Sequence, residues 1–169
     1  IRIVSRSLIC GGFNDKLTAL NYDLMMRFYI PIIFFIFVCG FSYGQSDEFL
    51  EMEALAKSGD VEAQFYLAYM YASENEVPKN DKTAVKWYTK AAEQGLAEAQ
   101  SNLGAMHANG EGVPSSNVKA YMWWNLAGFN GSKGAGKNKD IISKSMTVEQ
   151  IAKAQDLSEQ CLANSYKDC

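Results

Sequence analysis

The sequence predicts an all-α fold in which antiparallel helix pairs stack along the chain, and three observations predict it. Displaced by 36 residues, the chain meets 12 identical residues without a gap. Within each 36-residue unit, apolar residues recur at helical spacing in two separate runs. A glycine stands at the same place in every unit, Gly59, Gly95 and Gly131, where a left-handed C-terminal helix cap takes glycine without steric cost. Such a period marks stacked supersecondary units, none of which buries its apolar face alone.

The elements follow in order. The half-unit 47–58 places Leu55 and Ala56 where Ala91 and Ala92 lie one repeat later, which predicts a capping helix ahead of the first full repeat. Repeat 59–94 opens with helix A over about 61–72, its buried stripe being Ala63, Leu67, Met70 and Tyr71. Helix B covers about 82–94, with Ala84, Trp87, Tyr88, Ala91 and Ala92 on one stripe. Asp81, and Asn117 in the next unit, are the expected N-caps, since a side-chain oxygen there accepts from orphan amides of the first turn. Repeat 95–130 renews the pattern with Ala99, Gln100, Leu103, Met106, Ala120, Trp123 and Ala127. Small alanines let helix axes approach, and Trp87 and Trp123 fill the space between layers. Glycines from Gly131 to Gly136 predict a flexible join, then a short helix near 138–144. Thr147-Val-Glu-Gln150 is a capping-box pattern opening a helix over about 148–164. Its buried stripe is Ile151, Ala154, Leu157 and Cys161 or Leu162, and the cap of the array spans 137–164.

These residues resemble the Sel1-like repeat family, a relative of the tetratricopeptide repeats. The resemblance rests on Gly59, Ala63-Gln64, Leu67 and Tyr71 with Ala84, Trp87-Tyr88 and Ala91-Ala92. It is clearer in Ala99-Gln100, Leu103-Gly104, Asn109-Gly-Glu-Gly-Val-Pro114, Lys119-Ala120 and Trp123. It covers about 55–131 and implies a right-handed superhelix, an α-solenoid of about two full repeats plus capping helices, in proteins that commonly act as adaptors. The segment ending in the Met-Thr-x-Glu-Gln-Ile helix resembles the degenerate final repeat of that family. The chain departs from the pattern at Glu74 and Glu76, which stand where the second unit has Gly110 and Gly112, and at His107, which replaces the usual tyrosine. The first unit's loop is therefore expected to differ in shape.

Composition narrows the function. The 169-residue chain is 48% hydrophobic and 21% charged with a net charge of −3, ordinary for one packed domain. Its Lys and Arg residues are dispersed, which argues against nucleic-acid binding. Apolar residues concentrate in 28–41 behind Met25-Met26-Arg27, followed by Ser42-Tyr43-Gly44. That order predicts a secretory signal over 25–44, cleaved near Gly44, and a periplasmic or secreted protein. Membrane contact is expected only through this segment, if uncleaved; a lipid-bearing Cys39 would need a small residue where Val38 stands. Residues 1–24 read as an upstream extension, with translation starting at Met25 or Met26, and 45–169 as the repeat domain. In that domain 12 lysines stand against 17 Asp and Glu, a charge of −5.

Little in the sequence points to catalysis. No GxSxG, SxxK or HExxH motif occurs, and the glycine-rich stretch has no strand before it. No cofactor is expected. One histidine and four cysteines without a CxxC offer no zinc spacing. His107 sits at the inward position of helix A that Tyr71 occupies one unit earlier, so a packed, hydrogen-bonded role is expected ahead of a catalytic one. Cys161 and Cys169 either close a disulfide or remain a small core residue and a terminal thiol. Exported Sel1-like proteins with a bridge in every repeat are associated with penicillin binding or β-lactamase activity; neither full repeat here holds a cysteine.

Binding is the better-supported role. With Leu67 at the centre of the buried face of helix A, Glu62, Phe65 and Tyr69 fall on the opposite side. Ser101 and Ala105 are the smaller counterparts of the two aromatics in the next unit. In superhelices of this family the A helices line the concave side, so these five residues form the candidate surface for an unknown protein or peptide partner. The structural alternative packs Phe65 and Tyr69 on the capping helix near Phe49 and Met52. The alternative function is a cell-envelope hydrolase or a protein binding peptidoglycan or β-lactams, which would need convergent titratable groups in a pocket.

Overall fold

Seven helices and no strand make up the described residues, 47–73, 77–167 and 169, of this computed structural model: α1 Asp47–Ser58, α2 Val61–Ala72, α3 Asp81–Ala92, α4 Ala97–Asn109, α5 Asn117–Phe129, α6 Ala135–Ser143 and α7 Val148–Ala163. The expected signal over 25–44, the upstream stretch 1–24 and the loop at Glu74 and Glu76 lie outside these residues. Helices α2 and α3 are the first antiparallel pair and α4 and α5 the second. A closing pair, α6 and α7, packs on α5, which touches α4, α6 and α7.

The glycine punctuation works as expected. At Gly59, Gly95 and Gly131 φ is +105°, +87° and +98°. Each reversal is closed by the same two bonds. The glycine N–H donates three residues back, as Gly95 does to Ala92 at 3.0 Å, and the next N–H donates five back, as Leu96 does to Ala91 at 3.2 Å. The N-caps differ from expectation by one residue. Asn80 and Ser116, not Asp81 and Asn117, accept from the N–H groups of Thr83 and Lys119. Asp81 and Asn117 are instead the first helical residues. Two adjacent polar side chains can each cap, and the preceding one lies outside helical φ and ψ here.

The closing pair carries a second correction. The glycine-rich stretch is not a loose join up to residue 137, because α6 already begins at Ala135. Ala135 is fully buried against Ala120, Trp124 and Ala127, and it stands 36 residues after Ala99, so repeat packing outweighs the low helix propensity of its glycine neighbours. Thr147 and Gln150 form the expected capping box of α7. On that helix Ala154, Ser158 and Cys161 are buried and Ile151, Leu157 and Leu162 half-buried. The buried trio keeps the spacing of Ala120, Trp124 and Ala127, which places Ser165 where Gly131 stands. Ser165 takes the left-handed conformation at φ 51°, and Tyr166 follows at 63°.

Leu67, Leu103, Met122 and Leu126 are fully buried at the centre. Trp123 is buried in the main core, and Trp87 is half-buried against both it and the cluster formed around Phe49, Ala56, Ala63, Leu67 and Val77. The buried polar residues Gln64 and Gln100 have repeating tasks that the identities alone did not reveal. Gln64 donates to the Ala56 carbonyl at 3.1 Å, and Gln100 to the Ala92 carbonyl at 3.1 Å. Their amide oxygens accept from Gln94 and from Asn130, both at 2.9 Å. Each unit thus satisfies a buried amide with groups from both sides of a repeat boundary, which holds neighbours in register. The row ends where Tyr166 donates to the Asn130 side-chain oxygen at 2.8 Å.

Candidate binding face

Helix α2 presents Glu62, Tyr66 and Tyr69 at i, i+4 and i+7, all exposed. Helix α4 presents Glu98, Asn102 and Ala105 at the same register, with only Glu98 exposed. Tyr66 is 52% and Tyr69 49% accessible, large values for aromatics in a chain whose other A-helix apolar groups are covered. Of the residues picked out by sequence, Glu62 and Tyr69 therefore lie on this face. Phe65 does not stand free. It is half-buried on the main core, with its ring 5.7 Å from Tyr88 and 5.6 Å from Tyr66. On the capping helix, Phe49 meets Tyr71 edge to face, with ring centroids 6.2 Å apart. Ser101 is half-buried and its carbonyl accepts from the Trp124 indole at 3.0 Å. Ala105 is half-buried against the Trp124 cluster.

Tyr66 escaped the sequence reading because the buried face was centred on Leu67. Gln64 and Ala68 are also buried, which turns the face toward them, carries Phe65 to its edge and frees Tyr66. The signal was present in the Ala-Gln identity, but a glutamine does not announce burial.

Between α2 and α4 lies Tyr88 from α3. Burial is the chief cause pushing its hydroxyl up to about 12, opposed by a hydrogen bond with the Asn102 side chain and reinforced by nearby Tyr69. It stays neutral and protonated at any physiological pH. The second unit fills the corresponding place with Trp124, packed on Gly104 so closely that a Cβ there would lie 2.6 Å from the indole nitrogen. The first unit thus buries a hydroxyl bonded to an amide at this place, and the second an indole whose single donor is spent on Ser101.

Charge divides the same way. Helices α2 and α4 contain no Lys or Arg and one carboxylate each, Glu62 and Glu98. Helix α3 carries Lys82, Lys86 and Lys90, all exposed, with Lys90 4.4 Å from the centre of the Trp87 ring.

His107 is only 8% accessible, and its Nδ1 has no hydrogen-bond partner. Burial first and Lys119 second hold its pKa below 6.5, against a raising contact with the Pro114 backbone. The packed position is as expected, but full hydrogen bonding is not found. Among the described residues no three His, Cys, Asp or Glu side chains gather as a metal site would require, and no helix is long and apolar enough to cross a membrane. A disulfide joins Cys161 to Cys169, with Cα atoms 5.3 Å apart. It ties down the tail that carries Tyr166.

The Sel1 repeat model matches residues 61–96 and 97–132, the same period begun two residues later than the glycine-led units. No curated protein matches the chain. Among solved structures, the chain is 32% identical to a protective antigen present in uropathogenic Escherichia coli strains displaying an SLR fold. That match covers 68% of this chain and 26% of the other at a TM-score of 0.65. The chain thus spans about a quarter of the length of that protein. A Sel1 repeat protein from Oxalobacter formigenes is 28% identical over 64% of this chain and 98% of its own, at a TM-score of 0.46. Two matched units, seven helices without a strand among the described residues and a similar SLR structure make this chain a member of the Sel1 repeat family.

Proposed function

We propose that this protein is an exported helical-repeat scaffold that binds a protein or peptide through the face formed by its A helices, α2 and α4. Sel1 repeat domains are typically scaffolds for protein–protein interaction, and binding, not catalysis, is the role this chain takes. The observation that carries the reading is the pair of exposed tyrosines on α2, 52% and 49% accessible on one stripe. Tyrosine supplies a large contact area with few rotatable bonds and one polar handle, which suits an anchor. Export rests on the charge and apolar order of residues 25–44. The protective-antigen description of the Escherichia coli relative is in keeping with it.

Binding is tested by capture from envelope extracts, comparing the wild type with Tyr66→Ala/Tyr69→Ala, followed by direct titration of any protein recovered. A partner lost on the double substitution is expected; equal affinity for both forms would remove the face. Export is tested by the N-terminal mass of protein recovered outside the cytoplasm. A chain beginning at Gln45 is expected, and one retaining residues 28–41 would overturn cleavage.

A further inference from the structure

We infer that the partner segment is a cationic, extended polypeptide, whose Lys or Arg side chains lie over Tyr66 and Tyr69 and pair with Glu62 and Glu98. This deepens the reading above and rests on it. The first support is the register of the stripe. Glu62, Tyr66 and Tyr69 sit on one helix face, and Glu98 and Asn102 repeat it across the neighbouring unit. A carboxylate therefore opens each A helix beside the aromatic or amide group that follows it one turn later.

The second support is what the face lacks. Neither α2 nor α4 contains a lysine or arginine, so no side chain of these helices neutralises Glu62 or Glu98. Neither carboxylate takes part in a salt bridge among the described residues. The lysines of the first pair belong to α3. A face with two carboxylates, two exposed aromatic rings and no lysine or arginine of its own attracts a positive chain and repels a negative one. The rings contribute in their own right, since a cation over a tyrosine face is stabilised by the ring quadrupole.

The third support is where the stripe ends. In the second unit Ala105 is half-buried and the Trp124 indole is spent on the Ser101 carbonyl, and beyond it α6 brings Lys137 and Lys139, the latter donating to Asn125 at 3.1 Å. The acidic, aromatic surface therefore does not continue past α4.

The test titrates the purified chain with fluorescent peptides of equal length, one alternating lysine with glycine and serine, the other carrying glutamate for lysine. Anisotropy should report binding of the lysine peptide, weakening with salt, and about a tenfold loss on Tyr66→Ala/Tyr69→Ala. Glu62→Gln/Glu98→Gln should lose about fivefold, and Lys82→Gln/Lys86→Gln on α3 should leave affinity unchanged. The inference is overturned by no binding of the lysine peptide at millimolar concentration, or by binding that the α2 and α4 substitutions leave intact. If the glutamate peptide binds instead and needs Tyr66 and Tyr69, the charge assignment fails while the face stands. If an envelope partner is lost with the tyrosines yet no lysine peptide binds, the scaffold reading survives and this one does not.

Discussion

The two full repeats share a dozen positions yet fill the space between their helices differently. In the first, Ala68 of α2 is buried beside Tyr88 of α3; in the second, Gly104 of α4 lies under Trp124 of α5. The larger ring on helix B goes with a helix A that has lost its methyl group, and the indole N–H reaches a backbone carbonyl. The smaller ring leaves room for the methyl and keeps a hydroxyl at the boundary with Asn102. One period can therefore close one layer with a buried indole and the other with a buried, hydrogen-bonded phenol, because the volume shared by two facing residues is held while its partition changes.

The sharpest way to break this comparison is Gly104→Ala. The added methyl collides with an indole held by its own hydrogen bond, so a loss of about 3 kcal/mol is expected in urea unfolding. Adding Trp124→Tyr, which imports the first unit's pair, should restore most of it; no recovery would show that the two layers are not interchangeable.

Next in size is the tail, which only the second unit uses. Cys161→Ala/Cys169→Ala should cost about 2 kcal/mol. Faster amide exchange should appear in α5 and α7, where Asn130 and Tyr166 meet, but not in α2. Uniform loosening would show that the tail supports the whole array.

The glutamine rungs come third. Gln100→Leu leaves Asn130 without its acceptor and should cost about 1–2 kcal/mol. Gln64→Leu should cost less, since its partner Gln94 retains the Gly59 carbonyl at 3.1 Å. Equal losses would deny the second unit its longer chain of bonds.

The smallest expected effect separates His107 from its counterpart Tyr71. Because burial and Lys119 depress the folded-state pKa of His107 below 6.5, the unfolded chain takes up the proton first. Stability should hold above about pH 6.5 and fall as pH drops from there toward the folded pKa. His107→Tyr, which copies the first unit, should remove that part of the slope; an unchanged slope would assign it to carboxylates.

Much of this architecture was legible in the chain. The glycine reversals were readable because one residue type meets a backbone demand, and the tryptophan layers because their bulk has few places to go. The caps slipped by one because Asn80 and Asp81 are both competent. The tasks of Gln64 and Gln100 stayed hidden, since a buried amide is defined by partners that only folding assembles. Phe65 and Tyr66 exchanged places because two buried neighbours, not one leucine, set the direction of the face. Ala135 was passed over among glycines, although its spacing from Ala63 and Ala99 was available.

Gly112 sets a rule for how such an array can grow. It holds φ at +69°, and a Cβ there would run into the Asp81 carbonyl at the start of α3, so this loop nests against the unit before it. The corresponding residue of the first unit is Glu76. A longer protein could therefore arise by duplicating residues 97–132 in tandem, each copy bringing its own glycine to the junction. Tandem copies of residues 61–96 would carry no glycine to that junction. In a lineage that lengthens by duplication, the second unit is the one that brings its own junction residue with it.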